Sequence, residues 1–140
     1  MIFRITEAHR RGSLASHQEE RMPYTIEFDA AQKRVAILVA PPISEYDALK
    51  CFREIRADPA FRTDCGILIN LLAADRSLSL TEAEHIGGAM KYHFPGHRIA
   101  LLRSTPTPPP GFETLRAAAN SKTDMRIFVE LSAAEAWLAS

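Results

Sequence analysis

The sequence predicts one α/β domain, built on a mostly parallel five-stranded sheet whose strands follow one another in sequence order. Two observations support this class. Short apolar segments of strand length alternate with longer segments of helical spacing, and three of the helical segments begin with the same capping signal. The predicted order is β-β-α-β-α-β-α-β-α, with an antiparallel first strand. A chain of 140 residues suits a single domain of this kind.

The first two strands form a predicted antiparallel hairpin. Residues Tyr24–Asp29 alternate between apolar and polar side chains, as a half-buried strand does, whereas Arg34–Ala40 is apolar on both faces and suits a central strand. Helical patterns separate the later apolar segments, so we expect those strands to pair in parallel: Gly66–Leu72, Ile99–Leu102 and Arg126–Val129.

Three predicted helices begin at a serine that is followed, three residues later, by an acid: Ser44 with Asp47, Ser79 with Glu82, and Ser132 with Glu135. The serine oxygen accepts a free backbone N–H of the first turn, and the acid bonds back to the capping residue. A further helix is expected from about Gly111. Helical spacing also predicts which side chains of the first two helices point inward: Tyr46, Leu49, Phe52, Ile55, Leu80, Ala83, Ile86 and Met90.

Residues 1–22 are predicted to form an N-terminal arm outside the domain, which then spans residues 23–140. Few large apolar residues follow Leu14 in this segment, and its arginines and glutamates nearly balance. That balance weakens the alternative interpretation, a basic tether for an acidic partner.

The two faces of the predicted sheet differ in what covers them. Crossovers of one hand between strands in sequence order place the three connecting helices on one face. The central strands are nevertheless apolar on both sides. We therefore expect the opposite face to be covered by the arm, by another chain or by both. The Gly87-Gly88 pair in the second predicted helix would let that helix approach the sheet or another subunit closely.

The composition is typical of a water-soluble globular protein, with 46% apolar and 24% charged residues. Basic and acidic residues number 17 each, so the chain lacks the basic surplus of a nucleic-acid-binding protein. No apolar run approaches the roughly 20 residues of a membrane span. Cys51 and Cys65 have no CxxC spacing. We expect a cytoplasmic protein without a disulfide, and neither nucleic acid nor membrane among its partners.

The element order and several local strings resemble the STAS-like domains of sulphate transporters and anti-sigma-factor antagonists, in particular a small stand-alone bacterial subgroup of unknown function. The strings are Ala57-Asp58-Pro59-Ala60-Phe61, the Gly66–Leu72 segment, and the C-terminal Met125–Glu130 followed by Ala133–Leu138. The resemblance covers about residues 24–139. It implies a sheet wound in sequence order and a regulatory role through binding of partner proteins.

Regulatory members of that family are switched by phosphorylation of a serine in an Asp-Ser-x-Gly turn after the third strand. The corresponding stretch here contains Asp75, but Arg76 stands where the serine would be. Ser77 is a displaced candidate acceptor, since a phosphate there would add about two negative charges beside a helix N-terminus. The structural alternative is that Ser77 lies in a loop and Ser79 only caps a helix.

Three histidines lie close together in the sequence, but their spacing does not indicate a metal site. His85 and His93 are separated by about 80° around a helix, and Pro95-Gly96 breaks the helix before His97. No HExxH, GxSxG or phosphate-loop motif is present. We expect no metal and no cofactor.

The predicted binding residues are Asn70, Asp75, Ser77 and Arg103, which lie at or after the carboxyl ends of strands, where open α/β sheets bind ligands. Arg103 and two helix N-termini favour an anionic group there. The structural alternative is that Asn70 ties down its own loop and Arg103 pairs with Asp75. The Pro-rich loop at 105–111 either ends a strand and starts a helix or forms a rigid binding ridge.

The sequence therefore predicts a non-enzymatic regulatory or interaction domain that binds a protein partner or a small anionic ligand, with a homodimer as a further expectation. The alternative is a small enzyme or metal protein whose site is assembled from scattered residues such as Asp75, His85, His93 and Arg103.

Overall fold

The computed structural model describes residues 2–4, 23–40, 43–73, 78–119 and 123–140. Within them the chain forms one sheet of six strands with helices on both faces. The strands are β1 (Ile2–Arg4), β2 (Tyr24–Asp29), β3 (Arg34–Val39), β4 (Gly66–Asn70), β5 (Arg98–Leu102) and β6 (Asp124–Phe128). The helices are α1 (Glu45–Ala57), α2 (Leu80–His93), α3 (Phe112–Ala119) and α4 (Leu131–Ala139).

The predicted α/β class and the element order from Tyr24 onward are confirmed. The strands lie side by side in sequence order, β2 and β3 pair antiparallel, and β3 to β6 pair in parallel. The structure adds β1, which pairs antiparallel with β2 at the edge of the sheet. This strand falls within the predicted arm, because three residues are too few to reveal a period of two. The other residues of the predicted arm lie outside the described part of the chain.

The three connecting helices pack on one face of the sheet, as predicted. Their buried residues, among them Phe52, Ile86 and Leu115, form a single core with the β2–β6 side chains that point to this face. Successive side chains of β3 point to opposite faces of the sheet, and those of Val35 and Ile37 are buried in this core. The three connections thus obey the single-handed crossover rule.

The opposite face is covered in part by α4, a cover that the sequence pattern did not indicate, and any further cover by the arm or another chain stays a prediction. Ala134 is fully buried there, and Trp137 and Leu138 pack beside it against residues of β4 and β5. The C-terminal helix is short and only weakly amphipathic, and for that reason its role as a cover did not emerge from its sequence pattern.

Arginine side chains fasten α4 to the sheet. The guanidinium groups of Arg98 and Arg126 lie 5.3 and 4.9 Å from the centre of the Trp137 ring. One Arg98 nitrogen also donates hydrogen bonds to the carbonyl oxygens of Trp137 and Ser140, at 2.7 and 3.0 Å. The Ser140 N–H also donates to the Trp137 carbonyl, at 3.2 Å, so the arginine adds a further partner at the C-terminal end of this helix.

Two of the three predicted capping boxes are present. The hydroxyl oxygens of Ser44 and Ser79 accept the backbone N–H groups of Asp47 and Glu82, each at 3.1 Å, and the acids bond back to the serine N–H groups. The prediction for Ser132 was wrong, because α4 begins at Leu131 with Glu130 as its N-cap. The Ala134 N–H donates to the Glu130 carbonyl at 3.1 Å, and no side chain caps the first turn of α4.

Gly87, the first glycine of the pair in α2, allows a close contact between α2 and α3. A Cβ at Gly87 would lie 2.4 Å from the carbonyl oxygen of Leu115 and 2.7 Å from the Cβ of Ala118, both on α3. A Cβ at Gly88 would meet nothing within 4 Å. The close neighbour is therefore α3, and neither the sheet nor another subunit explains Gly87.

None of the helices in the described residues is long and apolar enough to cross a membrane.

We predict opposite effects for alanine at the two glycines of α2. Gly87→Ala should lower the free energy of unfolding by about 1–3 kcal/mol, because the new methyl group overpacks the contact with α3. Gly88→Ala should raise it by about 0.5–1 kcal/mol, because alanine has the higher helix propensity and nothing obstructs it. Urea denaturation of both variants measures the difference, and equal effects at the two positions would contradict this account of the contact.

Candidate functional site

The carboxyl ends of the parallel strands and the helix starts that follow them form one edge of the domain, which we call the carboxyl edge. Its described residues are 38–40, 43–48, 70–73, 78–82, 102–112 and 128–131. The parallel pairing of β3 to β6 brings these separate segments together.

Two of the four predicted binding residues lie in the described part of this edge, and each bonds within its own loop. Asn70 is half-buried, and its side-chain oxygen accepts the backbone N–H of Leu72 at 3.0 Å. A guanidinium nitrogen of Arg103 donates to the carbonyl oxygen of Thr107 and lies 3.4 Å from the Thr105 hydroxyl. Both side chains therefore hold loops in place.

Asp75 and Ser77, the other two predicted binding residues, lie outside the described residues. The expected Arg103–Asp75 pair and the phosphorylation of Ser77 therefore stay predictions.

The three candidate histidines have three different environments. His85 on α2 bonds the Glu45 carboxylate on α1 at 2.9 Å. His97 is buried, where its Nδ1 donates to the Cys65 carbonyl at 2.7 Å and its ring stacks on Phe61 with centroids 4.6 Å apart. The Nδ1 of His93 is buried without a hydrogen-bond partner. Among the described residues, no three His, Cys, Asp or Glu side chains are grouped as a metal ion would require.

An apolar cavity of about 130 Å³ opens at the carboxyl edge, between the sheet and helices α1, α2 and α3. Its floor consists of buried side chains of β3, β4 and β5, namely Ile37, Val39, Ile69 and Leu101. Its outer wall consists of residues that are half-buried or exposed, namely Ile43, Ser44, Leu71, Leu78 and Pro109. The cavity thus reaches from the core to solvent through the loops that follow three successive strands.

The polar groups in the cavity wall already have partners within the protein. The Tyr24 hydroxyl donates to the Glu54 carboxylate at 2.7 Å, and the Ser44 hydroxyl is engaged in the cap of α1 with Asp47. Burial, then the hydrogen bond to Glu54 and its charge, raise the pKa of Tyr24 well above its ordinary value of 10.0. Burial likewise raises the pKa of the Cys51 thiol, which is therefore an uncharged part of the wall.

Two loops meet at the mouth of the cavity. Gly111 has φ +88°, and a Cβ there would lie 2.7 Å from the carbonyl oxygen of Leu78. The Leu78 N–H in turn points to the Pro110 carbonyl at 3.4 Å. The Pro-rich loop therefore does more than end a strand, since Pro109 lines the cavity and the loop touches the segment that leads into α2.

Large exposed apolar side chains are concentrated at the carboxyl edge. In the described residues they are Leu38, Tyr46, Leu72, Leu80, Val129 and Leu131, with only Tyr92 elsewhere. The prediction that Tyr46 and Leu80 point inward was wrong, because their side chains are 66% and 67% exposed. Both lie in the first turn of a helix, beyond the end of the sheet that would cover them.

The opposite edge has a different chemistry. Around the amino ends of the parallel strands, Lys33 pairs with Asp64 at 3.3 Å, and Arg34 lies 3.9 Å from Asp29 and 3.3 Å from Glu135. The two edges therefore differ in their exposed apolar side chains, although the carboxyl edge also contains an ion pair, between Glu45 and His85.

The cavity and the apolar edge were missed at the sequence level, although a signal for them exists. The apolar run of β4 continues through Leu71 and Leu72 beyond the last paired residue, Asn70. When an apolar run continues past the carboxyl end of its strand, it places apolar side chains in the loop that follows.

Comparisons with family models, with curated proteins and with solved structures found no match for this chain. The STAS-like resemblance therefore rests on the strings that suggest it.

We predict that His93 makes the protein less stable in acid. Burial, followed by the charges of Arg56 and Arg53, lowers the pKa of His93 below its ordinary value of 6.5. As pH falls through about 6.5, the unfolded chain takes up a proton that the folded protein resists, so stability falls. Between pH 7.5 and 5.5 the urea midpoint should fall less for His93→Gln than for the unmodified protein. If the urea midpoints of the two proteins fall by the same amount, His93 is not the source of the lower stability in acid.

Proposed function

We propose that this chain is a non-enzymatic interaction domain with a regulatory role, and that it binds a protein partner through its carboxyl edge. The observation that carries the proposal is the concentration of exposed apolar side chains there. Tyr46, Leu72 and Leu80 are each more than half exposed, at 66%, 53% and 67%. Exposed large apolar side chains that lie at one edge of a domain support an interaction site there.

The character of this edge supports a protein partner over a small anionic ligand. Arg103, the cation on which an anion site would depend, holds the carbonyl of Thr107 in its own loop. Tyrosine and other large apolar side chains bury much area at little entropic cost, which suits a protein interface.

The same contacts favour an interaction domain over the enzyme alternative. Of the scattered residues that would build an enzyme site, His85 is paired with Glu45 and Arg103 with its loop. Neither side chain is held in the catalytic geometry of a nucleophile and its base.

A STAS-like identity is part of this proposal. The confirmed element order and the winding of strands in sequence order are what that resemblance implies. Fold analogy supports a regulatory role only as analogy. We also propose a cytoplasmic location, which the two buried, unbridged cysteine side chains suit.

We predict that charges at the carboxyl edge abolish partner capture. The double variant Leu72→Lys/Leu80→Lys places two ammonium groups in the apolar patch, whereas Tyr92→Lys removes a 77% exposed side chain away from this edge and serves as the control. Immobilised proteins are incubated with lysate of the source cells, and captured proteins are quantified by mass spectrometry. A true partner should be captured by the unmodified protein and the control, and at least tenfold less by the double variant.

Because all three lysines replace exposed side chains, thermal unfolding should stay within a few degrees of the unmodified protein. A partner captured equally by the double variant would show that the interface lies elsewhere, and the absence of any specifically captured protein would overturn the proposal. Sedimentation velocity tests the expected homodimer with the same variants. Self-association that only the double variant loses would identify the partner as a second copy of the chain.

A further inference from the structure

The cavity of about 130 Å³ is a second feature of the carboxyl edge, and its chemistry differs from that of a surface patch. It lies inside the domain and is reached from that edge. Other core side chains, such as Ile55, Ile67 and Ile99, are fully buried and do not line it.

We propose that this cavity is a binding site for the hydrocarbon part of a small molecule: a group of about six carbon atoms, either an aromatic ring or the branched end of an alkyl chain. The remainder of such a ligand would lie at the mouth, among the loops. This site is additional to the protein-binding edge and does not depend on it.

The size of the cavity sets the size of the group. An engineered protein cavity of roughly 150 Å³, lined by leucine, isoleucine and phenylalanine, binds benzene. The cavity here is slightly smaller, at about 130 Å³, and has the same kind of lining. A single ring fits such a volume, whereas a fused ring system would require the walls to move.

The lining of the cavity determines which chemical groups it can bind. The side chains that face the cavity are almost all hydrocarbon, with Phe52, Met90 and Phe112 on the helix side. The hydroxyl groups of Tyr24 and Ser44 are already bonded to carboxylates of this chain. A polar ligand atom buried here would lose its water without a free polar partner in the wall to replace it, which is unfavourable. The site therefore selects apolar groups.

The position of the mouth makes the site accessible. Ile43, Leu71, Leu78 and Pro109 all line the cavity and are all partly exposed. They belong to the three loops that follow β3, β4 and β5, the place where open α/β sheets take up ligands.

Benzene is the probe for this site. We expect it to raise the Tm of the unmodified protein by roughly 3–6 °C at a concentration tenfold above its Kd, since a ligand of the folded state stabilises by mass action. In methyl-labelled protein, benzene should shift the NMR signals of Ile69, Ile86 and Leu101, which line the cavity. The signals of Leu68 and Leu102, buried on the opposite face, should not move.

A variant in which a larger side chain fills the cavity should no longer respond to benzene. Ala48 lines the cavity, so Ala48→Leu places three additional carbon atoms in it, whereas Ala57→Leu makes the same change at an exposed position of the same helix. We expect Ala48→Leu to lose the benzene shifts and Ala57→Leu to keep them. The Leu72→Lys/Leu80→Lys variant should also keep them, because neither residue lines the cavity.

The inference is overturned if benzene leaves the cavity-lining methyl signals of the unmodified protein unchanged, or if it shifts them equally in Ala48→Leu. The NMR readout on the unmodified protein decides the matter even if Ala48→Leu fails to fold. Because benzene binding is measured on the isolated chain, its failure is independent of whether a protein partner is found.

Discussion

The placement of three connecting helices on one face is the constraint on which the rest of this structure depends. Strands that run parallel in sequence order, joined by crossovers of one hand, leave α1, α2 and α3 no other side of the sheet. Their crowding requires a glycine where α2 meets α3, because the Leu115 carbonyl lies within 2.4 Å of where a side chain would begin. It also leaves the opposite face to the C-terminal helix, which Arg98 and Arg126 hold in place.

The same constraint separates the chemistry of the two edges. Every parallel strand ends at one edge, so the polar and apolar loop residues of several distant segments meet there. In the described residues this edge contains the exposed apolar side chains and the cavity mouth, while Lys33, Arg34 and their acidic partners lie around the other. This arrangement suits the interaction domain proposed above, whose contact residues would lie at the loop edge.

The fold was predictable because its signals are local and periodic. The β2 alternation and the capping boxes at Ser44 and Ser79 depend only on neighbouring residues, and the structure has both. The three-residue β1 and the true start of α4 were not predictable in this way. The first is too short for a pattern, and the second is set by backbone bonds from Glu130 and not by a side chain.

The candidate site was harder to predict, because it depends on where elements end in space. Helical spacing assigns Tyr46 and Leu80 to the inward face, yet both lie beyond the reach of the sheet. Asn70 was predicted as a binding residue, and its bond to Leu72 fits the structural alternative, in which it ties down its own loop. The cavity arises from the combined shape of three helices and four strands, and no single segment encodes it.

The contact between Gly111 and Leu78 has a consequence for the kinetics of the domain. The backbone of one loop rests directly on the backbone of the other, and the Pro110 carbonyl faces the Leu78 N–H. This backbone contact and the hydrogen bond couple a displacement of one loop to the other. For the guest proposed above, the rates of entry and exit would then depend on how often the two loops move together, and the interior volume would set how tightly it is held.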